Sequence, residues 1–220
     1  MSQTAHLDST RPAPSTAPGP RRNLLYGGAA AIVAGAVQVD GAILTQTYSG
    51  ASPVADDVFS FPWEGATAVA TSVTWGLAQV LLVAGLVVFA RSGATGPSRG
   101  GRVGAVLAVV GSALYVAGHA LSLVFRNARL DDSGALVVIA LFVVGGLLTL
   151  VGFLMAGAAT LRAGRWTSWR RWAPLAAAAG MLVVTPLQAT SFLALSVAVY
   201  AATIVALGVA MVVEGGAGPR

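Results

Sequence analysis

The chain has 220 residues, of which 56% are hydrophobic and only 10% charged, and its mean hydropathy is +0.78. A soluble domain normally carries about 25% charged residues, so this composition excludes an ordinary soluble protein. All thirteen basic residues are arginines, against eight acidic residues, and the formal net charge is +5. The arginines are dispersed among short segments without a basic stripe, which argues against a nucleic-acid partner. Because cysteine and lysine are absent, thiolate, iron–sulfur, zinc–thiolate and Schiff-base chemistry are excluded.

Six long apolar stretches predict an all-α, polytopic membrane helix bundle, because a helix needs about 20 residues to cross a hydrocarbon core of about 30 Å. Residues 1–22, rich in Pro, Ser, Thr and Ala, predict a disordered tail. A single transmembrane domain follows at 23–214, with a short tail at 215–220. The six predicted spans are 24–47, 65–90, 103–125, 135–161, 172–188 and 191–213. The fifth span is marginal because Thr185-Pro186 interrupts its end, and a tilted or kinked crossing and a re-entrant hairpin are both compatible with it.

The arginines alternate along the chain. Eleven of them precede the first span, follow the sixth, or lie in the second-to-third and fourth-to-fifth connections, whereas the other connections hold only Arg126 and Arg129. This is the positive-inside signature, and it predicts six spans in a bacterial cytoplasmic (inner) membrane with both termini in the cytoplasm. The same arginines would then lie beside anionic lipid headgroups, the one partner that the sequence indicates directly.

Two ionisable side chains lie well inside the predicted spans, Asp40 in the first and His119 in the third. A charged group at the middle of a bilayer costs about 2.5–3.5 kcal/mol, so each needs a partner or a purpose. Each lies sixteen residues beyond the start of its span, and both spans run outward. We therefore expect both at similar depth in the outer half, where they could meet. With their polar neighbours they define a candidate intramembrane cluster: Asp40, His119, Gln38, Gln79, Ser122 and Arg126.

This cluster has two interpretations. In the first, the polar groups satisfy one another and fix the register of the helices. In the second, they line a small outward-facing cavity for proton-linked transport or ligand sensing, to which the titration of histidine near neutrality is suited. One histidine and one aspartate are too few for a metal site, and no catalytic motif accompanies Ser122. We therefore expect no enzyme activity, no cofactor and no metal.

The first outer connection, residues 48–64, is the longest loop and contains no basic residue. Loops of this length often carry function. Asp56, Asp57 and Glu64 are candidate cation ligands, and Trp63 would help to cap the outer mouth of the bundle. The alternative is a solvated acidic loop whose aromatic residues lie in the interfacial belt.

Small residues recur every seven positions along the third and fourth spans. Seven residues make about two helical turns, so each set lines one face, and small faces let membrane helices approach closely. This predicts a tight antiparallel contact between the two spans, used either within the chain or for dimerisation. The residues are Gly104, Gly111 and Gly118 in the third span and Gly145, Gly152 and Ala159 in the fourth.

Three tryptophans at a spacing of three, with arginines beside them, mark the fourth-to-fifth connection. On a helix the three rings would cluster on one side, at the level of the headgroups. We expect an interfacial anchor composed of Arg165, Trp166, Trp169, Arg170, Arg171 and Trp172.

The outer segment Pro53-Val54-Ala55-Asp56-Asp57-Val58-Phe59-Ser60-Phe61-Pro62-Trp63 and the segment Ala159-Thr160-Leu161-Arg162-Ala163-Gly164-Arg165-Trp166, with the following Trp169-Arg170-Arg171, resemble a group of small uncharacterised actinobacterial multi-pass integral membrane proteins. The resemblance implies a multi-pass membrane protein and carries over no catalytic residue. The sequence thus favours a non-enzymatic structural or regulatory membrane component, with an unidentified membrane protein or a second copy as partner. The alternative is a small proton-linked transporter or ligand sensor that uses Asp40 and His119.

Overall fold

The computed structural model describes residues 20–187 and 190–217, which form α-helices, one short 3-10 helix (Ser168–Trp172) and connecting loops. Within these ranges the only β-type pairing is an isolated bridge between Val58 and Arg129, so the prediction of an all-α chain is confirmed. The α-helices are α1 (Pro20–Ser49), α2 (Gly65–Arg91), α3 (Arg99–Val124), α4 (Ser133–Ala163), α5 (Ala173–Leu187) and α6 (Leu193–Gly216).

Five of these helices, all except α5, are long and apolar enough to cross a membrane. Helix α5 has 15 residues, a length of about 22 Å at about 1.5 Å per residue. The 3-10 helix of 5 residues immediately before it adds about 10 Å at about 2.0 Å per residue. Pro186, which was expected to interrupt the fifth span, lies inside the last turn of α5.

The boundaries at the two ends of the chain differ from the prediction. Helix α1 begins at Pro20, so Arg21 and Arg22 are helical and do not belong to a disordered tail. Arginine favours helices, and a helix can therefore continue past the apolar stretch that the prediction used to place its start. At the other end, α6 extends to Gly216. The rest of both predicted tails, 1–19 and 218–220, and position 188 at the end of the fifth predicted span lie outside the described residues.

The helices close a ring in which each contacts its neighbours in sequence and α1 contacts α6. The most extensive contacts are those of α1 with α6 and of α3 with α4, whereas α2 bridges α1 and α3, and α5 bridges α4 and α6. The same pattern of helix–helix contacts results if α1, α2 and α3 are exchanged with α4, α5 and α6, respectively. The ring therefore has one face made of α1, α2 and α3, with α2 in the middle.

Glycine forms both of the extensive contacts. In the contact of α3 with α4, a Cβ added to Gly111 would lie 2.6 Å from the carbonyl oxygen of Gly145, which confirms the predicted small-residue packing within the chain. The contact of α1 with α6 is equivalent but was not predicted; there a Cβ on Gly28 would lie 2.6 Å from the carbonyl oxygen of Gly208. Seven-residue spacing is present there as well, with Gly28, Gly35 and Ala42 in α1 and Ala201, Gly208 and Gly215 in α6.

The interior of the ring is filled by apolar side chains from every α-helix. The largest of those that are completely buried come from α2, α4, α5 and α6. They include Leu82, Leu86, Phe89, Phe153, Met181, Ile204, Leu207 and Met211.

Candidate functional site

The structure does not bring Asp40 and His119 together. They lie on α1 and α3, on either side of α2, and Trp75 of α2 lies between them. A Cβ added to Gly41, the residue after Asp40, would collide with the indole of Trp75, and the same indole contacts the imidazole of His119. The prediction of similar depth agrees with this arrangement, whereas the expected contact within the chain is absent.

Asp40 points outward from the bundle. It is exposed, as are Val33, Ala36 and Ile43, which lie seven residues, four residues and three residues away on the same helical face. In the described part of the chain, its carboxylate has neither a hydrogen bond nor an ion pair. A carboxylate on the outer surface of a membrane bundle, in the middle of an apolar helix face, is an unusual and costly feature.

His119 lies beneath a shallow groove between α2 and α3. Its ring contacts Trp75 and Phe142 edge-on, with centroid separations of 6.0 and 5.2 Å. The groove has a volume of about 170 Å³, and exposed side chains such as Leu77 and Ala120 border it. Among the residues that the structure describes, neither imidazole nitrogen has a hydrogen-bond partner, and the surface that lines the groove is almost entirely apolar.

Gln38 and Gln79, by contrast, are buried and form a pair inside the bundle. Nε2 of Gln79 donates to Oε1 of Gln38 at 3.4 Å. Nε2 of Gln38 and Oε1 of Gln79 have no partner in the described ranges. This pair therefore joins α1 to α2 in the way expected of interhelical hydrogen bonds.

The last two members of the predicted cluster satisfy the backbone of α3. Oγ of Ser122 donates to the carbonyl of His119 at 2.7 Å, and Nη1 of Arg126 donates to the carbonyl of Leu123 at 2.9 Å. The six predicted residues thus occupy four separate places: the outer face of α1, the groove beside α3, the interior contact of α1 with α2, and the end of α3.

The loop between α1 and α2, which was predicted to be the first outer loop, is tied to the loop between α3 and α4. Asp57 forms a 2.5 Å ion pair with Arg129, and the amides of Phe59 and Ser60 donate to the carbonyls of Ala128 and Arg126 at 2.9 and 3.0 Å. Asp57 is therefore engaged by a cation of the protein itself. The charge of Arg129 is thus compensated across the two loops.

Glu64 and Trp63 lie at the other end of the first outer loop, beside a groove of about 560 Å³ that Tyr48 also lines. The rings of Tyr48 and Trp63 are tilted by 52° with centroids 5.3 Å apart, and Nε1 of Trp63 donates to Thr45 at 3.3 Å. Asp56 is exposed outside this groove. The described residues contain no group of three or more His, Asp or Glu side chains able to hold a metal ion.

The predicted interfacial anchor separates into two parts. Trp166 is buried and packs edge-on against Phe89 at 5.7 Å, so it belongs to the core. The expectation of three rings on one side is wrong because the 3-10 helix begins only at Ser168. Trp169 and Trp172 are about half exposed, and residues three apart in a 3-10 helix share one side, so these two remain suited to the interface.

The arginines of this segment also differ in burial. Nη1 of Arg165 donates to the carbonyl of Gly93 at 3.0 Å, which ties the connection between α4 and α5 to the connection between α2 and α3. The guanidinium of Arg171 lies 5.9 Å from the ring of Trp172. Arg170 turns inward, where Nε is 3.3 Å from Oε1 of Glu214 on α6, and both side chains are only about one tenth exposed (11% and 12%).

Sequence reasoning missed Glu214 because it lies just beyond the last apolar residue of the sixth predicted span. A signal was present, since Glu214 is the only acidic residue after Asp132 and falls on the side rich in arginine. The arginines on that side are the expected partners of an acidic residue there, and in the structure its partner is Arg170.

The helices and these polar groups define the class of the protein as a helical, membrane-compatible bundle, consistent with an integral membrane protein. The chain matches no protein-family model, no curated protein and no solved structure.

Proposed function

We propose that the chain is a non-enzymatic component of a bacterial cytoplasmic membrane that crosses the bilayer six times, with both ends in the cytoplasm, and acts by associating laterally with a membrane protein. The observation that carries this proposal is the outward direction of Asp40. A carboxylate on the lipid side of a span is stabilised when a neighbouring helix supplies a cation or a hydrogen-bond donor. The resemblance to small actinobacterial membrane proteins agrees with this role but stays a prediction.

The six crossings are supported by the position of α5. Gly157 of α4 abuts Leu175 near the start of α5, and Gly180 further along abuts Tyr200 and Thr203 of α6. Helix α5 therefore runs alongside both neighbours. Together with the 3-10 helix it covers about 32 Å, which is close to the thickness of the hydrocarbon core.

A proton-linked transporter built on Asp40 and His119 is the less supported alternative. Such a site places both side chains in one polar cavity, where a proton can pass between them. Here α2 separates them, and the groove beside His119 is almost entirely apolar. The polar pair in the interior, Gln38 with Gln79, contains no group that titrates.

Photo-cross-linking in native membranes tests lateral association. Benzoylphenylalanine replaces Ala36, next to Asp40 on the exposed face of α1, and in a second variant it replaces the exposed Leu147 of α4. We expect Ala36→benzoylphenylalanine to give adducts of protein mass, with lipid adducts prevailing at Leu147. Lipid adducts alone at Ala36 would contradict the proposal.

A second candidate function rests on the outer groove. Two tilted aromatic rings, Tyr48 and Trp63, lie beside the carboxylate of Glu64, and none of the described residues that line the groove is basic. Aromatic faces and a carboxylate together attract an organic cation, and quaternary ammonium compounds are the usual ligands of such sites. The groove would then serve as an outward-facing ligand sensor.

Titration calorimetry of the purified protein with tetramethylammonium and choline tests this candidate. We expect saturable binding that Glu64→Gln and Trp63→Leu each weaken by at least about fivefold, since one cation–π contact contributes about 1 kcal/mol. Asp56→Asn is the matched control, because Asp56 is an exposed acid of the same loop outside the groove. Absence of saturable binding, or an equal loss in the control, would exclude the site.

A further inference from the structure

We propose that the partner of this chain is a transmembrane helix of a different protein, which carries an arginine or a lysine at the depth of Asp40 and pairs that cation with the Asp40 carboxylate. The inference rests on the lateral association proposed above and names the chemistry of the partner. Its basis is a row of exposed residues on α1, called here the exposed stripe: Ala29, Val33, Ala36, Asp40, Ile43 and Thr47.

The exposed stripe lies on one side of α1. Its residues follow one another at alternating spacings of four and three, which keeps them on one face of a helix. The opposite face of α1 is completely buried in the ring, at Ala31, Ala34 and Ala42. Asp40 is therefore directed away from the bundle, into the region that lipid or another helix occupies.

The exposed stripe differs from the exposed side of α4, which takes the place of α1 in the other half of the ring. Every exposed residue of α4 from Leu136 to Leu154 is a leucine, a valine or an alanine, as suits contact with acyl chains. The stripe instead combines Ala29 and Ala36, seven residues apart, with a carboxylate. Small residues let a second helix approach closely, and polar residues join helices within lipid. The stripe thus has the composition of a contact between helices.

The charge of Asp40 selects a cation over a neutral donor. A carboxylate within the hydrocarbon is costly because its net charge is removed from water. A hydroxyl or an amide would donate one hydrogen bond but would leave that net charge in place. An arginine or lysine at the same depth donates a charge-assisted hydrogen bond and neutralises the carboxylate. The partner helix is therefore expected to be basic at this one position.

The depth of Asp40 separates it from the basic residues at its own end of the bundle. Nine further residues of α1 follow it, so its carboxylate lies about 14 Å from the end of the helix at about 1.5 Å per residue. In the described ranges the basic residues at that end are Arg126 and Arg129, which follow α3. Arg126 donates to the carbonyl of Leu123, and Arg129 pairs with Asp57. Neither is available at the depth of Asp40.

A second copy of this chain does not supply the cation either. Its His119 packs against Trp75 and Phe142 of the same chain. The exposed arginines of the described α-helices all lie in a first or last turn, at the end of the bundle remote from Ser49. They are Arg21, Arg22, Arg91, Arg99, Arg102 and Arg162. A parallel second copy would therefore place an apolar residue or a second carboxylate opposite Asp40, so a different protein is required.

Association with model transmembrane helices in phosphatidylcholine vesicles tests the inference on the full-length protein. The probes are peptides of leucine and alanine that differ at one position, about 14 Å from one end, which is arginine, glutamine or leucine. An acceptor fluorophore is attached at that end of each peptide. The donor is attached at Gly50→Cys, just beyond α1, where a Cβ has no atom within 4 Å. The sequence contains no other cysteine, so the label occupies a single position.

We expect the arginine peptide to associate at least about tenfold more strongly than the leucine peptide, because the ion pair forms where water is excluded. Asp40→Asn should bring the arginine peptide to within about threefold of the leucine peptide. Asp56→Asn is the control and should change neither peptide, since Asp56 is an exposed acid of the loop after α1. Equal association of all three peptides would overturn the inference, as would tight association of the arginine peptide with Asp40→Asn. A glutamine peptide that associates as strongly as the arginine peptide would overturn it as well.

Exchange of the two charges is a second test. Asp40→Arg is paired with a peptide that carries aspartate in place of arginine, and circular dichroism verifies that the variant is folded. We expect the aspartate peptide to associate at least about tenfold more strongly with Asp40→Arg than with the unchanged protein, because the same pair is formed with its charges reversed. Equal association with the two folded proteins would contradict the pairing.

Photo-cross-linking at Ala36 in native membranes separates this inference from the proposed function. We expect the yield of protein adducts to fall at least about fivefold when Asp40→Asn is added, and to be retained when Asp40→Glu is added, since glutamate keeps the charge. Protein adducts that persist in Asp40→Asn, or that contain only a second copy of this chain, would overturn the inference and leave lateral association standing. Lipid adducts alone in the unchanged chain would contradict the proposed function itself.

Discussion

The imidazole of His119 meets the indole of Trp75 edge-on, at a centroid separation of 6.0 Å and an interplanar angle of 72°. This contact fixes His119 against α2, on the side of the ring where its groove opens between α2 and α3. Trp75 also occupies the space between α1 and α3 at the depth of Asp40. One aromatic side chain thus keeps the two ionisable groups apart within the chain.

The glycine contacts determine how closely the helices pack. We predict that Gly28→Leu and Gly111→Leu each destabilise the fold by about 3 kcal/mol or more, because the new side chain would meet backbone carbonyls that cannot move aside. Thermal unfolding in detergent or nanodiscs measures the effect. Gly100→Leu is the control, since a Cβ there has no atom within 4 Å. A midpoint for Gly111→Leu equal to that of Gly100→Leu would show that the contact of α3 with α4 is not tight.

The pair Gln38–Gln79 permits a double-mutant cycle. We predict that Gln38→Leu or Gln79→Leu alone costs about 1–3 kcal/mol, because each leaves a buried amide without its partner. The double variant should cost much less than the sum, since both polar groups are then removed together. Additive losses of stability would mean that the two amides do not interact.

The ion pair of Arg170 with Glu214 fastens the 3-10 helix to the end of α6. Glu214→Gln leaves a guanidinium that is about nine tenths buried without its counter-ion, and we predict a loss of about 3 kcal/mol in unfolding free energy. The comparison is Asp131→Asn, whose partner Arg129 is well exposed, and which should change stability by less than about 1 kcal/mol. Equal losses of stability in Glu214→Gln and Asp131→Asn would indicate that the ion pair of Arg170 with Glu214 is as exposed to solvent as that of Arg129.

The sequence predicted the helices and the packing of α3 with α4, because both follow from patterns along one or two neighbouring segments. The packing of α1 with α6 shows the same seven-residue spacing but joins the two ends of the domain, so no local feature identified the partner. Trp166 was misplaced because spacing predicts a common face only where the helix is continuous. Its burial against Phe89 depends on where the 3-10 helix begins.

The intramembrane cluster shows a different limit of sequence reasoning. Counting residues gives the depth of Asp40 and His119, but it does not give the direction in which each helix turns its side chain or which helix lies between. Those depend on the order of helices around the ring, and here α2 separates the two groups. Gln38 and Gln79 do meet, because their helices are neighbours both in sequence and in space.

Labelling of single cysteines in intact cells tests most directly the claim on which the rest depends, that the bundle crosses the membrane six times with its arginine-rich connections inside. Cysteines are placed one at a time at Asp56 in the first outer loop, at Gly100 at the start of α3 and at Ser191 between α5 and α6, and each is treated with a maleimide that cannot cross membranes. The proposed topology predicts labelling at Asp56 and Ser191, with Gly100 labelled only after the membrane is opened. Labelling at Asp56 combined with protection of Ser191 until opening would show that α5 does not cross and would contradict the six-span arrangement.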